Sequence, residues 1–117
     1  MGVDGAEGAL DALRRVLDDA RVQRRTLTYL EAADAIRLPP PRRIHRVTRL
    51  LERLMREDAE AGRPIRAALV VSRIRDGLPA PGFFDRAVRL GVISAGQSAE
   101  AAHRQLLARL FGPGDAG

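Results

Sequence analysis

Apolar residues recur every three to four positions over much of the chain, and this spacing predicts amphipathic helices that share one core. The first predicted helix covers about residues 9–24, with leucines from Leu10 to Leu17 on its apolar side. The last predicted helix covers about residues 99–110, and the Gly- and Pro-rich residues 112–117 should form a frayed tail. The pattern therefore predicts one helix near each end of the chain.

A short helix is predicted after residue 28. Thr28 and Glu31 have the spacing of a capping box, in which each side chain accepts a hydrogen bond from the other residue's backbone N–H. The helix should run from residue 29 to about residue 37, with Leu27 as a hydrophobic staple or a single strand position. The prolines at 39–41 should end it, because proline lacks a backbone N–H and restricts the residue before it. The last of these prolines can also open the next helix.

The third predicted helix, about residues 42–61, separates arginine from apolar side chains, and Gly62 should close it. At about 100° per residue, arginines spaced three or four apart lie close to one line over about four turns. Glu52 and Glu57 flank this line and have the i,i+4 spacing that would partly neutralise it. The arginine face comprises Arg42, Arg46, Arg49, Arg53 and Arg56, and the apolar face comprises Ile44, Val47, Leu51 and Leu54.

Residues 65–74 are rich in β-branched side chains and too short for another long helix, so we predict a strand there. Residues 75–77 have the composition of a turn, and the prolines within 78–82 favour a stiff, extended return. Together these segments should form a β-hairpin, or wing. A short helix over residues 83–91 follows, anchored to the core by its two phenylalanines.

Charge singles out the middle of the chain. The net charge is +5, and all 20 basic residues are arginine. Residues 1–20 carry two arginines against five acidic residues, residues 21–75 carry fourteen against six, and residues 76–117 carry four against four. Because high-GC coding bias explains part of the arginine content, its position is more informative than its amount. A basic centre predicts a surface that faces a polyanion.

Composition also excludes several classes of protein. With no cysteine, the chain has no disulfide, thiolate metal site or cysteine nucleophile. No apolar run reaches the roughly 18 residues of a membrane span, and the acidic N-terminal residues do not resemble a secretion signal, so we expect a cytoplasmic protein. The two histidines lack metal-ligand spacing, and no Gly-rich phosphate loop is present. We therefore expect no enzyme, no cofactor, no metal site and no membrane contact.

The order of the predicted elements is that of a winged helix-turn-helix, a mostly α fold with a small β-hairpin. The sequence TYLEAA at residues 28–33 is similar to the T-Y-G-E-x-A opening of the DNA-binding domain of alkylguanine-DNA alkyltransferases and alkyltransferase-like proteins. The motifs GRP at 62–64, LVV at 69–71 and PGFF at 81–84 resemble those of a small group of bacterial winged-helix proteins.

The resemblance covers residues 26–91, so residues 1–25 form an added N-terminal helix and residues 92–117 an added C-terminal helix and tail. In the alkyltransferases the Thr-Tyr pair contacts the DNA backbone, and an arginine that opens the recognition helix enters the duplex. The resemblance implies these roles for Thr28, Tyr29 and either Arg42 or Arg43. The reactive Pro-Cys-His-Arg segment has no counterpart here, so alkyl transfer is excluded.

The candidate DNA-binding set combines this resemblance with the arginine face and the wing. Guanidinium groups contact phosphates and guanine edges in bidentate geometry. The Tyr29 hydroxyl should either reach a phosphate or pack against a neighbouring helix, whereas Arg53 and Arg56 lie in later turns and should pair within the helix. The set comprises Thr28, Tyr29, Arg42, Arg43, His45, Arg46, Arg49, Arg73 and Arg75.

We therefore expect a non-catalytic protein that binds double-stranded DNA and regulates transcription, most simply as a homodimer with a terminal helix as its seam. The alternative is a protein-interaction module whose arginine face binds an acidic protein partner. A third interpretation is an accessory fragment of a nuclease or repair assembly, which would require a separate catalytic subunit.

Overall fold

The structure, a computed structural model, describes residues 5–112, and the tail predicted to fray beyond Gly112 lies outside them. The described chain is mostly helical, with one very small parallel sheet. Its elements are α1 (Gly5–Val22), β1 (Leu27–Thr28), α2 (Tyr29–Ala35), α3 (Arg43–Glu60), a 3₁₀ turn (Arg66–Leu69), β2 (Val70–Val71), a second 3₁₀ turn (Arg73–Arg75), α4 (Pro81–Arg89) and α5 (Ala99–Phe111).

All five predicted helices are present, and they share one core. The apolar stripe of α1 packs with that of α5 around the buried Arg66–Leu69 turn, and α3 closes the other side. Two arginines at the end of α1 and just after it also hold the end of α5, since Arg21 Nε donates to the Leu110 carbonyl at 2.7 Å and Arg24 donates to that of Phe111 at 2.6 Å. The buried leucines of both terminal helices are thus covered by their own chain.

The hairpin predicted over residues 65–82 is wrong, and the strand predicted there is much shorter than expected. The Arg66–Leu69 segment turns as a buried 3₁₀ helix, and only Val70–Val71 forms a strand. This strand pairs in parallel with β1, with Leu27 opposite Val70, which confirms the alternative of a strand position at Leu27. Parallel strands need a long crossover rather than a tight turn, and here α2 and α3 supply it. This segment is rich in β-branched residues because it lies in the core. It is not one arm of a hairpin in which buried and exposed positions alternate.

The 72–80 loop replaces the predicted return strand. Its ends are joined by the Ser72 N–H, which donates to the Leu78 carbonyl at 2.7 Å. Inside it, the Arg75 N–H donates to the Ser72 carbonyl at 3.2 Å and the Leu78 N–H to the Arg75 carbonyl at 3.1 Å. The chain reverses at Asp76 and Gly77, which have φ values of 52° and 81°. The loop is therefore a closed, internally bonded turn.

Two details of α3 also differ from the prediction. The helix does not open on a proline, because Arg42 is its N-cap in the left-handed conformation, with φ of 59°. Ile44, predicted for the apolar face, is 52% exposed, whereas Val47, Leu51 and Leu54 on that face are buried. Ile44 lies in the first turn, beyond the edge of the core, and faces the 72–80 loop across a groove.

Candidate nucleic-acid interface

Thr28 and Tyr29 form the corner where β1 turns into α2. The capping box is confirmed, because the Glu31 N–H donates to Thr28 Oγ1 at 3.1 Å and the Thr28 N–H donates to Glu31 Oε1 at 2.8 Å. Tyr29 is only 9% exposed, and its hydroxyl oxygen accepts a hydrogen bond from the Ala80 N–H at 2.9 Å. Burial raises the pKa of Tyr29. Of the two interpretations left open for Tyr29, the structure shows packing, and the residue ties α2 to the end of the 72–80 loop.

Two arginines of the candidate set hold the connection between α2 and α3. Arg43 donates from Nε to the Leu38 carbonyl at 2.8 Å and pairs with Asp34 of α2. Arg46 donates to the Pro39 carbonyl at 2.6 Å. The proline run supplies carbonyl acceptors but no N–H donors, and the Arg46 guanidinium bonds to its carbonyls. Asp34 compensates the charge of Arg43, whereas the carbonyl leaves the charge of Arg46 uncompensated.

Arg42, Arg49 and Arg56 remain on the outer side of α3. All three are exposed, and none makes an ion pair within residues 5–112. His45 is exposed beside them. The prediction that Arg53 and Arg56 pair within their own helix is wrong. Arg56 makes no ion pair among the described residues, and the Arg53 guanidinium lies 3.2 Å from the Glu7 carboxylate of α1.

The acidic residues that flank the arginine face do not neutralise it. Glu57 instead binds Arg14 of α1, which donates from Nε at 3.1 Å and from its terminal nitrogen at 2.7 Å, and these bonds lower the pKa of Glu57. Glu52 lies 3.4 Å from Arg86 of α4. The i,i+4 partners predicted from the sequence are therefore bound to other helices, and the arginine face keeps most of its charge.

A groove separates the first turns of α2 and α3 from the 72–80 loop. Its cavity volume is about 360 Å³, and three half-exposed or exposed apolar side chains, Leu30, Ile44 and Ile74, line it together with Arg73. Thr28 and Tyr29 also line this groove. The structure thus brings the Thr-Tyr corner, the start of α3 and one candidate arginine of the loop to one surface.

Arg73 and Arg75 differ in their surroundings. Arg73 is exposed at the rim of the groove. Arg75 is partly buried, and its Nε is enclosed without an acceptor in the described part of the chain. Of the two candidate arginines in the loop, Arg73 is the one whose guanidinium is open to a ligand.

The most extensive polar cluster was not predicted. Asp58 is fully buried on the inner side of α3 and is bound by Arg66, with Arg63 and Asp18 at the edge of the cluster. The helical spacing alone signals this cluster, because an acidic residue one turn after Leu54 falls among core positions and requires a cation. The strand predicted over residues 65–74 gives no indication that Arg66 would be the partner of Asp58. The cluster joins α1, α3 and the 3₁₀ turn and is structural in character.

No family model, curated protein or solved structure matches the chain. Within residues 5–112, no helix combines the length and the apolar character that a bilayer crossing requires. In the same residues, no three side chains of the metal-ligating types converge on a point that would hold an ion.

Proposed function

We propose that the protein is a non-catalytic winged-helix protein that binds double-stranded DNA. In this proposal α3 lies in the major groove, the Thr28–Tyr29 corner approaches the backbone, and the 72–80 loop serves as the wing. The observation that carries it is the arginine face of α3, which keeps most of its charge because its flanking carboxylates at Glu52 and Glu57 are bound to other helices. A regulator of transcription, acting in the cytoplasm, is the role that we propose for such a protein.

The spacing of the exposed arginines suits a duplex. Arg42 and Arg49 are seven residues apart, which corresponds to roughly 10 Å along a helix, or about three base-pair steps along a duplex. Both are exposed, so their guanidiniums can contact phosphates or guanine edges along the groove. Arg46 lies between them, bonded to the Pro39 carbonyl, and adds its charge. Phosphate neutralisation would supply most of the affinity, which should fall with salt.

Among the candidates of the set, Arg42 is favoured over Arg43 as the arginine that enters the duplex. Arg42 is exposed at the N-cap of α3, whereas Arg43 is bound to Leu38 and Asp34. Releasing Arg43 would break an ion pair that holds the connection between α2 and α3. Arg42 can approach DNA without any such loss.

The second candidate function is a protein-interaction module. The exposed apolar groove at Leu30, Ile44 and Ile74 favours it, because contiguous apolar surface often marks a protein contact. An acidic partner with an apolar anchor would complement both the groove and the arginine face. This candidate predicts no binding to DNA at low salt.

Fluorescence anisotropy with a mixed-sequence duplex at several salt concentrations separates the two functions. The double variant Arg42→Ala, Arg49→Ala should weaken binding and reduce the slope of log K against log salt by about 1.8, since each lost phosphate contact contributes about 0.9. Arg104→Ala, Arg109→Ala is the matched control, because it removes the same charge from exposed positions of α5. Absence of duplex binding at low salt, or equal losses in both double variants, would overturn the proposal.

A further inference from the structure

Ile74 is the most exposed large apolar side chain of the described residues, with 89% of its surface accessible. A single exposed isoleucine requires no explanation by itself. Ile74, however, lies between Arg73 and Arg75 and forms the outer rim of the groove whose other side includes Ile44 of α3. The side chain thus stands beside the proposed DNA-binding helix and next to the exposed Arg73.

The loop that carries Ile74 is held in one shape before any ligand binds. The Ser72 N–H closes it onto the Leu78 carbonyl at 2.7 Å, and the Ala80 N–H fixes its end to the Tyr29 hydroxyl at 2.9 Å. A loop that is already ordered loses little conformational entropy when it binds. Ile74 is therefore presented to a partner on a rigid support, which is the requirement for a side chain that must push into another structure.

An apolar side chain next to an exposed arginine complements a polymer that is anionic outside and apolar inside. DNA has this arrangement, since phosphates flank stacked bases, and minor-groove proteins insert isoleucine, leucine or phenylalanine between base pairs for this reason. Asp76 follows directly and reduces the local positive charge. With α3 in the major groove, a loop beside its first turn reaches the adjacent backbone and minor groove.

We propose that Ile74 is a wedge that partly unstacks one base step in the minor groove beside the α3 site, with Arg73 against a flanking phosphate, so that the protein bends its DNA. The inference rests on the DNA binding proposed above. It specifies the preferred ligand as a DNA duplex that kinks easily. Pyrimidine–purine steps such as TA and CA should be preferred at the wedge, as should a mismatch, because unstacking costs less there.

The test combines a bending measurement with a probe of stacking. A duplex labelled at both ends reports bending by energy transfer, and 2-aminopurine within it gains fluorescence when its step unstacks. The wild type should bring the ends closer and raise the fluorescence. Ile74→Ala should abolish both signals and weaken binding to the intact duplex roughly tenfold, with a smaller loss on a duplex that carries a central mismatch.

Two further variants complete the design. Val22→Ala, at an equally apolar side chain that is 79% exposed at the end of α1, should behave as the wild type. Ile74→Leu keeps an aliphatic wedge and should retain bending. Tight binding to straight DNA without a fluorescence change, or an Ile74→Leu variant as defective as Ile74→Ala, would overturn the wedge and leave DNA binding intact. Failure of the wild type to bind any duplex at low salt would instead overturn the proposed function, and the wedge with it.

Discussion

The Asp58 carboxylate lies directly against the Arg66 guanidinium, and both are shielded from solvent. Arg66 donates from Nε to Oδ2 at 3.1 Å and from a terminal nitrogen to Oδ1 at 2.8 Å, and its backbone N–H also donates to Oδ2 at 3.1 Å. This pair fixes the 3₁₀ turn that leads into β2 against the last turns of α3. The position of the 72–80 loop beside α3 therefore depends on it.

Asp58→Asn should lower the free energy of unfolding by about 2–3 kcal/mol, because it removes the nearest and most buried counter-charge of the Arg66 guanidinium and leaves only Asp18 and Glu57, which are partly exposed. Urea denaturation at pH 7 measures the change. Asp85→Asn is the control, since Asp85 is exposed on α4 and its variant should stay within about 0.5 kcal/mol of the wild type. A loss below about 1 kcal/mol for Asp58→Asn would show that the pair does not hold the fold together.

Acid should destabilise the protein through the same cluster. Burial by itself raises the pKa of Asp58, but the hydrogen bonds from Arg66 and Arg63 outweigh it, and the net pKa is lowered. A carboxylate with a lowered pKa in the folded state stabilises the protein above its unfolded pKa, near 4, and that contribution is lost as the pH falls through the folded value. Urea midpoints should therefore fall steeply below about pH 4. In Asp58→Asn the urea midpoint should fall less steeply with decreasing pH. A fall as steep as that of the wild type would show that Asp58 is not the carboxylate responsible.

His103 should make the stability of the protein depend on pH in a second, higher pH range. Burial lowers its pKa from the usual 6.5, and its Nε2–H donates to the Ala68 carbonyl at 2.8 Å. Because the unfolded chain takes up the proton more readily, this contribution is present above pH 6.5 and is lost as the pH falls through the lowered folded value. Stability should decline as the pH falls below about 6.5. His103→Gln should remove this decline, whereas His45→Gln, at an exposed position, should retain it.

The helices could be predicted from the sequence because their signals are local. Apolar spacing and the Thr28–Glu31 capping box are visible within a few residues, and the structure confirms both. The 65–82 region was misassigned because its conformation depends on distant partners. Val70–Val71 becomes a strand only by pairing with β1, some forty residues earlier in the chain, and the Arg66–Leu69 turn is fixed by the buried Asp58. No periodicity within the segment reveals either partner.

The sequence predicts that these arginines of α3 lie along one line. It does not predict which of them are accessible to a ligand. Helical geometry places Arg46 and Arg49 on the same side, yet Arg46 bonds to the Pro39 carbonyl while Arg49 stays exposed. Only the path of the proline turn decides this difference. In the same way, Arg14 on another helix binds Glu57, the carboxylate predicted to neutralise the face.

Tyr29→Phe should loosen the 72–80 loop without unfolding the protein. The variant leaves the Ala80 N–H without its acceptor, which should lower the free energy of unfolding by about 1 kcal/mol. Hydrogen exchange at the Ala80 amide should become faster, while exchange within α1 should change only as much as global stability does. Bending of DNA should weaken along with this, since the support of Ile74 becomes mobile. Unchanged exchange at Ala80 would show that the Tyr29 hydroxyl does not hold the loop.

Arg42→Gly should separate stability from DNA binding. Arg42 has φ of 59°, a left-handed conformation that glycine adopts without strain, so the variant should keep or raise the free energy of unfolding, by up to about 0.5 kcal/mol. It should nevertheless bind DNA more weakly, with a salt slope smaller by about 0.9.

Arg37→Gly is the matched control for this variant. Arg37 is also exposed, has φ of 56° and lies at the other end of the same proline turn, so its replacement relieves the same strain and removes the same charge. Only Arg42 is at the start of α3, where a side chain can follow the helix into the groove. Thermal or urea denaturation should therefore give the two variants similar stabilities, whereas titration with a DNA duplex should give them different affinities. Equal losses of DNA affinity would mean that total charge, and not the first turn of α3, governs binding.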